Sequence, residues 1–427
     1  MPTGTFLSEI GAVAVENIKT IAVIGLGYIG LPTAAILATQ GIRVIGVDVK
    51  QDTVDAVNRG EVPFVEPDLG TYLAGAVTQG NLSASLETPQ ADAYIVAVPT
   101  PFKGDHEADL SYIDAAADGI APQLRGGELI ILESTSPPGA TETMAARILD
   151  ARPDLDQSTE RDRLYFVHCP ERVLPGRVMI ELVTNDRIIG GTTTRAAERA
   201  KSLYETFCQG ELLITDAKTA EMAKLVENSF RDVNIAFANE LSIICDKLGI
   251  DVWELIELAN HHPRVKILEP GPGVGGHCIA VDPWFIVSSV PDESRLIRTA
   301  REVNDAKPAH VIARVIEKAQ RFKSPVVAAM GLAFKPDIDD LRESPAVKIV
   351  RELAAELPAA TILAVEPHVD SLPPELSGVE NVRLDDTVAA ISKADIVLLL
   401  VDHSTFRTIK ATELAERIVI DTKGLWR

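Results

Sequence analysis

Apolar residues in the first half of the chain cluster in short runs rich in valine and isoleucine, and longer alanine-rich stretches separate most of these runs. The runs predict β-strands over residues 20–24, 43–48, 93–98, 129–133 and 164–168. Regular alternation of strand and helix is typical of parallel sheets with crossover helices. We therefore expect a doubly wound α/β domain over residues 1–215.

The pattern changes over residues 216–322, where β-branched runs become rare and helical spacing dominates. Apolar residues between Met222 and Ile244 recur near helical spacing and predict one long helix over residues 218–248. An ordinary domain helix is shorter. We expect this helix to join two domains and to provide a surface for a homodimer or a larger homo-oligomer.

Strand and helix alternate again over residues 323–427, with strands expected at 326–330, 361–365, 396–401 and 418–421. The first of these strands runs into a glycine-containing loop, as in the first domain, but the two loops share too little sequence to indicate a repeat. The predicted fold is therefore α/β, with two Rossmann-like, doubly wound parallel-sheet domains joined by a central helical domain.

Composition agrees with this picture and excludes several functions. A length of 427 residues fits about three domains. The formal charge of −21 disfavours nucleic acid and anionic membrane surfaces as partners. The longest apolar runs fall far short of the roughly 20 residues that cross a bilayer, and residues 1–18 do not resemble a signal peptide. We expect a cytoplasmic protein without a membrane or nucleic-acid partner.

A glycine-rich turn directly follows the first predicted strand. Gly25, Gly27 and Gly30 have the GxGxxG spacing, an alanine-rich helix follows them, and a second strand ends in Asp48. In dinucleotide sites the first glycine permits the turn, the second lets the pyrophosphate approach, and the third lets helix pack on strand. A carboxylate at Asp48 would accept from a ribose hydroxyl and favour NAD over NADP. A tight turn without a ligand is the alternative.

Two further loops follow strands at the carboxyl edge of the same predicted sheet, where open sheets bind ligands. Thr100 lies in the loop after the strand at 93–98, and Thr135 lies in the loop after the strand at 129–133. Both threonines are candidates to face the cofactor. Ordinary turn chemistry also explains them.

Three polar residues share one face of the long helix. Lys224, Asn228 and Arg231 are spaced i, i+4 and i+7. A lysine and an asparagine directed into one cleft would stabilise an oxyanion, and Arg231 would bind a phosphate. Surface helices carry such residues routinely, so the spacing alone does not decide between the two interpretations.

Residues 270–276 contain four glycines and two prolines and cannot form a regular element. Cys278 follows this loop directly, with His277 beside it and Asp282 four residues on. A buried, inert thiol is the usual state of a cytosolic cysteine. Next to a glycine-rich loop, in a chain with an NAD-type turn, Cys278 is better explained as a nucleophile. The four cysteines have no CxxC spacing, and we expect neither a metal site nor disulfides.

An NAD site together with a nucleophilic cysteine has a specific chemical meaning. A thiol that traps an aldehyde permits a second oxidation, to a thioester, and hydrolysis then gives a carboxylic acid. The expected reaction is therefore a four-electron oxidation of a primary alcohol. Basic residues in loops are candidates to bind an anionic substrate, although each is also explained as a surface charge; they are Arg172, Arg264, Lys335 and Arg342.

Taken together, these motifs resemble the UDP-glucose/GDP-mannose dehydrogenase family. The matching segments extend from residue 23 to residue 346 and read VIGLGYIGLP, VPTPFKGDH, ILESTSPPG, CPERVLPG, AEMAKLVENSFRDVNIAFANEL, PGPGVGGHCIAVDPWF and GLAFKPDIDDLRESPA. The resemblance implies an N-terminal NAD domain over residues 1–215, a central dimerisation domain over 216–322 and a C-terminal UDP-sugar domain over 323–427.

The resemblance also implies roles for individual residues. Cys278 is the nucleophile, Lys224 is the acid/base and oxyanion partner with Asn228 beside it, Asp282 orients a water, and Glu171 assists thioester hydrolysis. The residues implied to contact NAD are Gly25, Gly27, Tyr28, Ile29, Gly30, Asp48, Thr100, Thr135 and Arg342. Those implied to line the UDP-sugar are Arg172, Val173, Lys224, Asn228, Arg231, His262, Arg264, Gly273, Phe334 and Lys335, with Arg264 contributed by a neighbouring subunit.

One position separates this chain from the UDP-glucose branch of the family. That branch carries a second carboxylate four residues after Glu171, where this chain has Pro175. Loss of that charge fits an acetamido sugar but does not give the epimer. The resemblance of the whole set of motifs implies oxidation of UDP-N-acetyl-D-mannosamine at C6. UDP-N-acetyl-D-glucosamine and UDP-glucose remain alternatives, and a catalytically silent NAD-responsive binding protein is an alternative of another class.

Overall fold

The computed structural model describes residues 18–104, 106–174, 176–276 and 278–427, and Pro175 and His277 lie outside these ranges. The chain divides into two compact units, one ending at Val226 and the other beginning at Glu227. Each unit is built around its own sheet, largely parallel in the first unit and fully parallel in the second, and helix-rich chain lies between the two sheets in sequence. This is the α/β architecture that the sequence predicts.

The strands of the first unit are β1 (Thr20–Ile24), β2 (Arg43–Val47), β3 (Leu82–Ser85), β4 (Ala93–Val96), β5 (Phe102–Lys103), β6 (Glu107–Ala108), β7 (Leu129–Leu132), β8 (Tyr165–His168), β9 (Arg187–Gly191) and β10 (Leu212–Asp216). In the described part of the chain, eight of them form one sheet in the order β10-β9-β8-β7-β4-β1-β2-β3. Its neighbours pair parallel except β8 and β9, which are antiparallel, and β5 and β6 form a separate antiparallel pair. The sheet is therefore mixed at one end.

Both faces of this sheet are buried, which explains the nearly continuous apolar runs. Ile21 and Val23 of β1 belong to one core cluster, and Ala22 and Ile24 belong to the other. The covering helices are α1 (Gly30–Thr39), α2 (Gln51–Asn58), α3 (Leu69–Thr78), α4 (Ser111–Ile120), α5 (Ala140–Ala151), α6 (Val178–Thr184) and α7 (Thr194–Tyr204). Parallel pairing places the carboxyl ends of β1, β4 and β7 at the same edge.

The long helix α8 (Ala217–Leu248) has 32 residues and matches the predicted helix to within one residue at its start. The helices that follow are α9 (Val252–Asn260), α10 (Asp282–Ser289), α11 (Arg295–Ala319), α12 (Pro345–Glu356), α13 (Thr387–Lys393) and α14 (Ala411–Leu414). The second sheet contains β11 (Val326–Met330), β12 (Thr361–Val365), β13 (Val382–Leu384), β14 (Ile396–Leu399) and β15 (Ile418–Asp421). These described strands are all parallel, in the order β13-β12-β11-β14-β15.

The turn that follows β1 and the turn that follows β11, the first strand of the second sheet, are built in the same way. Gly25 follows β1 with a φ of +94°, and its N–H donates to the carbonyl of the last residue of β2 at 2.8 Å. Gly331 follows β11 with a φ of +90°, and its N–H donates to the last residue of β12, also at 2.8 Å. In both turns the leucine N–H that follows donates to an acidic residue after the second strand, Asp48 or Glu366. The two turns share geometry without sharing a glycine fingerprint.

Candidate functional site

The three glycines of the first turn have different surroundings. A Cβ on Gly25 would lie 2.4 Å from the carbonyl oxygen of Ala97, and one on Gly30 would lie 1.8 Å from the carbonyl oxygen of Gly25. Both positions therefore require glycine for the fold itself. A Cβ on Gly27 would meet no atom of the described residues within 4 Å, and this glycine is exposed at the start of α1. Gly27 leaves room for a ligand to approach the backbone.

Asp48 lies directly beside this turn. Its Oδ2 accepts from the N–H of Leu26 at 3.0 Å, and its Oδ1 accepts from the N–H of Lys50 at 3.0 Å. The side chain is half-buried, so it is held in place while part of it faces solvent. Tyr28 is stacked on Phe64, with ring centroids 4.4 Å apart.

The loops after β4 and β7 are tied together at the carboxyl edge. Thr100 Oγ1 donates to the carbonyl of Thr135 at 2.7 Å, and Ser134 Oγ exchanges hydrogen bonds with the backbone of Val98. Both threonines are half-buried. The two loops therefore form one connected rim on the edge that carries the glycine turn.

These features fit a dinucleotide. The N-terminus of α1 carries no side-chain cap among the described residues, the backbone at Gly27 is open, and Asp48 is fixed at the end of β2. Unpaired N–H groups at a helix N-terminus favour a pyrophosphate. The residues of this turn suit NAD, because a carboxylate there favours a free ribose hydroxyl.

Below the rim lies a cluster of buried polar residues. Glu133 accepts from Tyr204 Oη at 2.6 Å and from Thr33 Oγ1 at 3.2 Å, and burial raises the pKa of Glu133 to about 7. Arg187 on β9 lies near Cys169, and its guanidinium is 4.8 Å from the ring centroid of Tyr204. Burial raises the pKa of Cys169 to about 12, so this cysteine is an inert thiol at neutral pH.

The CPER segment is attached to the same cluster through Glu171. One oxygen of Glu171 accepts from Arg187 at 3.1 Å, and the other accepts from the backbone N–H of Arg172 at 2.8 Å. The guanidinium of Arg172 donates to the carbonyl of Asp186 at 3.1 Å, and Val173 packs against the core. Glu171 is therefore buried with both oxygens engaged, which suits holding this loop.

The first turn of α8 is anchored to the N-terminus of α5. Glu221 is fully buried and accepts from the N–H of Gly139 at 2.5 Å, from the N–H of Thr141 at 2.7 Å and from Thr141 Oγ1 at 2.6 Å. Lys224 follows one turn later and is half-buried. The start of the helix that carries Lys224 is therefore anchored by a buried carboxylate that the sequence pattern does not single out.

The glycines before Cys278 are required by close packing. A Cβ on Gly275 would lie 2.4 Å from the carbonyl oxygen of Glu343, one on Gly276 would lie 3.0 Å from Phe334, and one on Gly273 would lie 3.1 Å from Pro308. The loop therefore lies against α11 and against the segment that follows β11. Phe334 and Gly273, two predicted substrate residues, are brought together there.

Cys278 is exposed at the end of this loop, and all four cysteines are reduced thiols. Its carbonyl accepts from the N–H groups of Val281 and Asp282, which forms the turn into α10. Asn228 Nδ2 donates to Asp282 Oδ2 at 2.5 Å, and both side chains are buried. The structure thus joins three of the predicted catalytic residues in one local arrangement.

Several other predicted residues are exposed charged or polar side chains. Arg342 is exposed and forms a two-bond pair with Asp340 at 2.9 and 2.7 Å. Lys335 is exposed in the same segment. Arg231, His262 and Arg264 are also exposed, with Nδ1 of His262 accepting from the N–H of Arg264.

Asp337, His368 and His403 have ligand atoms within 4.8 Å of one another, as a metal site would require. However, Nδ1 of His403 accepts from the N–H of Asp337 at 3.0 Å, which leaves Nε2 to donate to Glu366 at 3.0 Å. Both ring nitrogens are therefore used by the protein. The cluster fastens the segment after β11 and is better explained as structural.

Fold and site geometry define a nucleotide-binding α/β protein with an exposed cysteine in a glycine loop. Family models match three consecutive parts of the chain: the NAD binding domain at residues 19–208, the central domain at 218–306 and the UDP binding domain at 328–427. The chain belongs to the UDP-glucose/GDP-mannose dehydrogenase family. It is an NAD-dependent nucleotide-sugar dehydrogenase.

Curated relatives match nearly the whole chain. The NDP-N-acetyl-D-galactosaminuronic acid dehydrogenase of Ralstonia nicotianae is 57% identical over 413 residues, covering 96% of this chain and 97% of the relative. The UDP-N-acetyl-D-mannosamine dehydrogenase of Escherichia coli strain K12 is 55% identical over 423 residues, covering 96% and 100%.

Solved structures agree with this assignment. The UDP-D-ManNAc dehydrogenase of Pyrococcus horikoshii superimposes with a TM-score of 0.85 at 37% identity, covering 96% of each chain. The UDP-N-acetyl-mannosamine dehydrogenase of Staphylococcus aureus gives 0.82 at 41% identity, covering 96% of this chain and 95% of that one. Within the described residues, no helix combines the length and apolar character needed to cross a bilayer.

Proposed function

We propose that this protein oxidises the C6 hydroxymethyl group of UDP-N-acetyl-D-mannosamine to the uronic acid, with two NAD reduced per sugar. The observation that carries the proposal is Cys278, an exposed thiol at the end of a tightly packed glycine loop in a chain with an NAD-type turn. A dehydrogenase that stops at the aldehyde has no need of a nucleophilic cysteine.

NAD, when bound, accepts a hydride in each of the two oxidations. Gly25, Gly27, Gly30 and Asp48 would hold it in the way their geometry indicates. The other residues that we propose at the cofactor are Tyr28, Ile29, Thr100, Thr135 and Arg342.

Cys278 acts on the aldehyde that the first oxidation produces. Its thiolate attacks the aldehyde carbon, forming a C–S bond and a thiohemiacetal. Loss of a hydride from that carbon gives a thioester, and attack by water then breaks the C–S bond, releasing the carboxylate and restoring the thiol. The four electrons removed from the sugar match the reduction of two NAD.

Polar residues on and near α8 support these steps. Lys224 would exchange the proton of the C6 oxygen and stabilise the oxyanion together with Asn228. Asp282, held by Asn228, would orient the attacking water. Glu171 is proposed to assist thioester hydrolysis, although both its oxygens already accept hydrogen bonds, so it would act by holding the loop of Arg172.

The UDP-sugar would contact residues from several segments. Phe334 and Gly273 lie beside the Cys278 loop, and Lys335 and Arg231 supply exposed positive charge. The remaining proposed contacts are Arg172, Val173, His262 and Arg264, the last from a neighbouring subunit. Cationic side chains of this kind allow a protein with a negative net charge to bind a diphosphate, because they make the local potential positive.

The test of the sugar is a panel of purified UDP-sugars, with initial rates and the yield of NADH per sugar. We expect the highest kcat/KM with UDP-N-acetyl-D-mannosamine and two NADH per sugar. A yield of one NADH would contradict the four-electron reaction. UDP-N-acetyl-D-galactosamine is the second candidate, because a relative with 57% identity is named for N-acetyl-D-galactosaminuronic acid.

The test of the nucleophile is replacement of Cys278 by alanine and by serine. We expect neither variant to release the uronic acid. Cys208→Ala is the matched control, because Cys208 is a half-buried thiol of the first unit that our mechanism does not use. Full acid formation by both Cys278 variants would eliminate the thioester route.

A further inference from the structure

The glycine loop that carries Cys278 is held at its beginning by a side chain of α8. Asn239 is fully buried, and its Oδ1 accepts a hydrogen bond of 2.8 Å from the N–H of Gly271. Gly271 lies seven residues before Cys278 in a segment without regular structure. None of the roles proposed above involves Asn239.

A chain of buried hydrogen bonds continues from Asn239 into α11. Asn239 Nδ2 donates to Asn304 Oδ1 at 2.8 Å, and Asn304 Nδ2 donates to Asp232 Oδ1 at 2.8 Å. Arg301 donates to the same oxygen of Asp232 at 2.6 Å. None of these four side chains is more than 1% exposed.

The ion pair between Arg301 and Asp232 determines which group donates and which accepts in each hydrogen bond of this network. A carboxylate can only accept, so Asn304 must present its NH₂ group to Asp232 and its oxygen to Asn239. Asn239 must then donate to Asn304, which leaves its own oxygen for the N–H of Gly271. The orientation of the Asn239 amide is therefore set by charges on the far side of the network.

The other end of the loop is held from the same helix. Asn228 donates to Asp282 at 2.5 Å, four residues beyond Cys278. Asn228 and Asn239 are eleven residues apart, about three helical turns, so they project from one side of α8. Two asparagines of one helix thus hold the loop on both sides of Cys278.

Stability alone does not explain such a network. Buried ion pairs and amides stabilise a fold less than well-packed apolar side chains of similar volume. A polar network has the advantage that its hydrogen bonds define one position for the backbone they meet. Here that backbone is the start of the nucleophile loop.

We propose that Asn239 is a positioning residue for Cys278: with Asn304, Asp232 and Arg301 behind it, it fixes the glycine loop so that the thiol meets the C6 aldehyde. The part of this inference that concerns catalysis rests on the function proposed above. It predicts damage confined to the second oxidation, because the first oxidation does not use the thiol.

The test is single-turnover NADH formation by Asn239→Ala. The first NADH should form at the wild-type rate, and the second should form about 10- to 100-fold more slowly, the scale expected for a misplaced reacting group. The Kd for NAD and the KM for the UDP-sugar should stay within about threefold. Asn234→Ala is the matched control, because Asn234 lies on the same helix and its side chain, within the part of the chain that the structure describes, bonds only the carbonyl of Phe230.

A second variant, Asn239→Asp, keeps the test informative if the alanine variant does not fold. A protonated carboxyl can accept from Gly271 and donate to Asn304, as asparagine does, whereas a carboxylate cannot donate. The second-phase rate relative to wild type should therefore rise as the pH is lowered. A ratio that does not change with pH would contradict the proposal.

The outcomes separate this inference from the proposed function. If Cys278→Ala still yields two NADH, the thioester route fails. If Cys278→Ala yields one NADH but Asn239→Ala slows both phases equally, or neither, Asn239 is not a positioning residue. If neither Asn239 variant folds, the network belongs to the core alone and the inference is withdrawn.

Discussion

At the residue scale, individual glycines of the NAD-type turn are expected to serve different purposes, one for NAD binding and another for the stability of the fold. Gly27→Ala should leave the melting temperature unchanged, because the new Cβ meets no atom of the described fold within 4 Å. The same Cβ should block the approach of the pyrophosphate and raise the Kd for NAD roughly tenfold or more. Gly30→Ala should destabilise the fold by about 1–3 kcal/mol or more, because its Cβ would overlap the carbonyl of Gly25. Thermal unfolding and NAD titration measure both effects.

The control for this comparison is Gly75→Ala. Gly75 lies within α3, and a Cβ there meets no described atom within 4 Å. The variant should gain about 0.5–1 kcal/mol through helix propensity and bind NAD normally. A Gly27→Ala variant with wild-type NAD affinity would show that the cofactor does not approach this backbone.

A second prediction concerns Glu133 and the way in which the free energy of unfolding depends on pH. Burial raises its pKa from an ordinary 4.5 to about 7, so the folded protein retains a proton that the unfolded chain releases between these values. The free energy of unfolding contributed by Glu133 should therefore fall as the pH rises from about 4.5 to about 7, by on the order of 3 kcal/mol. Glu133→Gln should lack this loss.

The measurement is urea unfolding of the wild-type protein and of Glu133→Gln from pH 5 to pH 8. The informative quantity is the difference between their free energies of unfolding at each pH. Buried His168 contributes the opposite slope, because its pKa of about 3 costs stability as the pH falls below 6.5. That contribution is common to both proteins and cancels in the difference. A difference independent of pH would mean that Glu133 is ionised in the folded protein throughout.

At the element scale, the junction of α5 and α8 depends on Glu221. Glu221→Ala would leave the buried N–H and hydroxyl of Thr141 and the partly buried N–H of Gly139 without their acceptor, and should destabilise the first unit by about 3 kcal/mol. Glu142→Ala, which removes a surface ion pair with Lys218, should have no measurable effect. Equal denaturation midpoints for the two variants would contradict this view of the junction.

Sequence patterns predict the elements that are buried and fail at the edges of the sheets. All nine predicted strands are present, with ends that differ by at most two residues. In the two large sheets the pattern misses β3, β9, β10 and β13, and three of these lie at a sheet edge. It also misses the two-residue strands β5 and β6 of the separate pair. An edge strand has one exposed side and a weaker apolar pattern, as the half-exposed β10 shows.

Site residues follow the same division. Cys278, Asp282 and Gly27 stand in segments of unusual composition, which makes them candidates from the sequence alone. Asn239 and Glu221 are polar residues within a long helix, where such residues normally face solvent. Only the packed structure shows that they are buried.

At the scale of the whole molecule, one face of α8 remains apolar and exposed. Phe230, Phe237 and Ile244 recur every seven residues and Leu248 continues the face, with Phe230 71% and Leu248 67% exposed. We expect this face to form the homodimer contact, since an exposed apolar stripe on a long helix is typical of an interface. Light scattering should give at least twice the chain mass of 46.0 kDa.

The double variant Phe230→Asp/Phe237→Asp should shift the protein to monomer. Val388→Asp is its control, because Val388 is equally exposed, at 72%, but belongs to α13 and not to α8. A monomeric wild-type protein would remove the basis of this prediction.

The matching first turns of the two units bear on how nucleotide sites are identified. A left-handed glycine after the first strand and an acidic acceptor after the second occur in both turns, so these two features belong to the architecture of the strand-to-helix crossover. Two glycines of the fingerprint differ: Ala333 takes the place of Gly27, and Pro336 takes the place of Gly30. Gly30 is required by close packing against the carbonyl of Gly25, whereas Gly27 is open. Gly27 is therefore the glycine of this fingerprint that the fold itself does not require, and a fingerprint scored equally over all its glycines gives most of its weight to a requirement of chain folding.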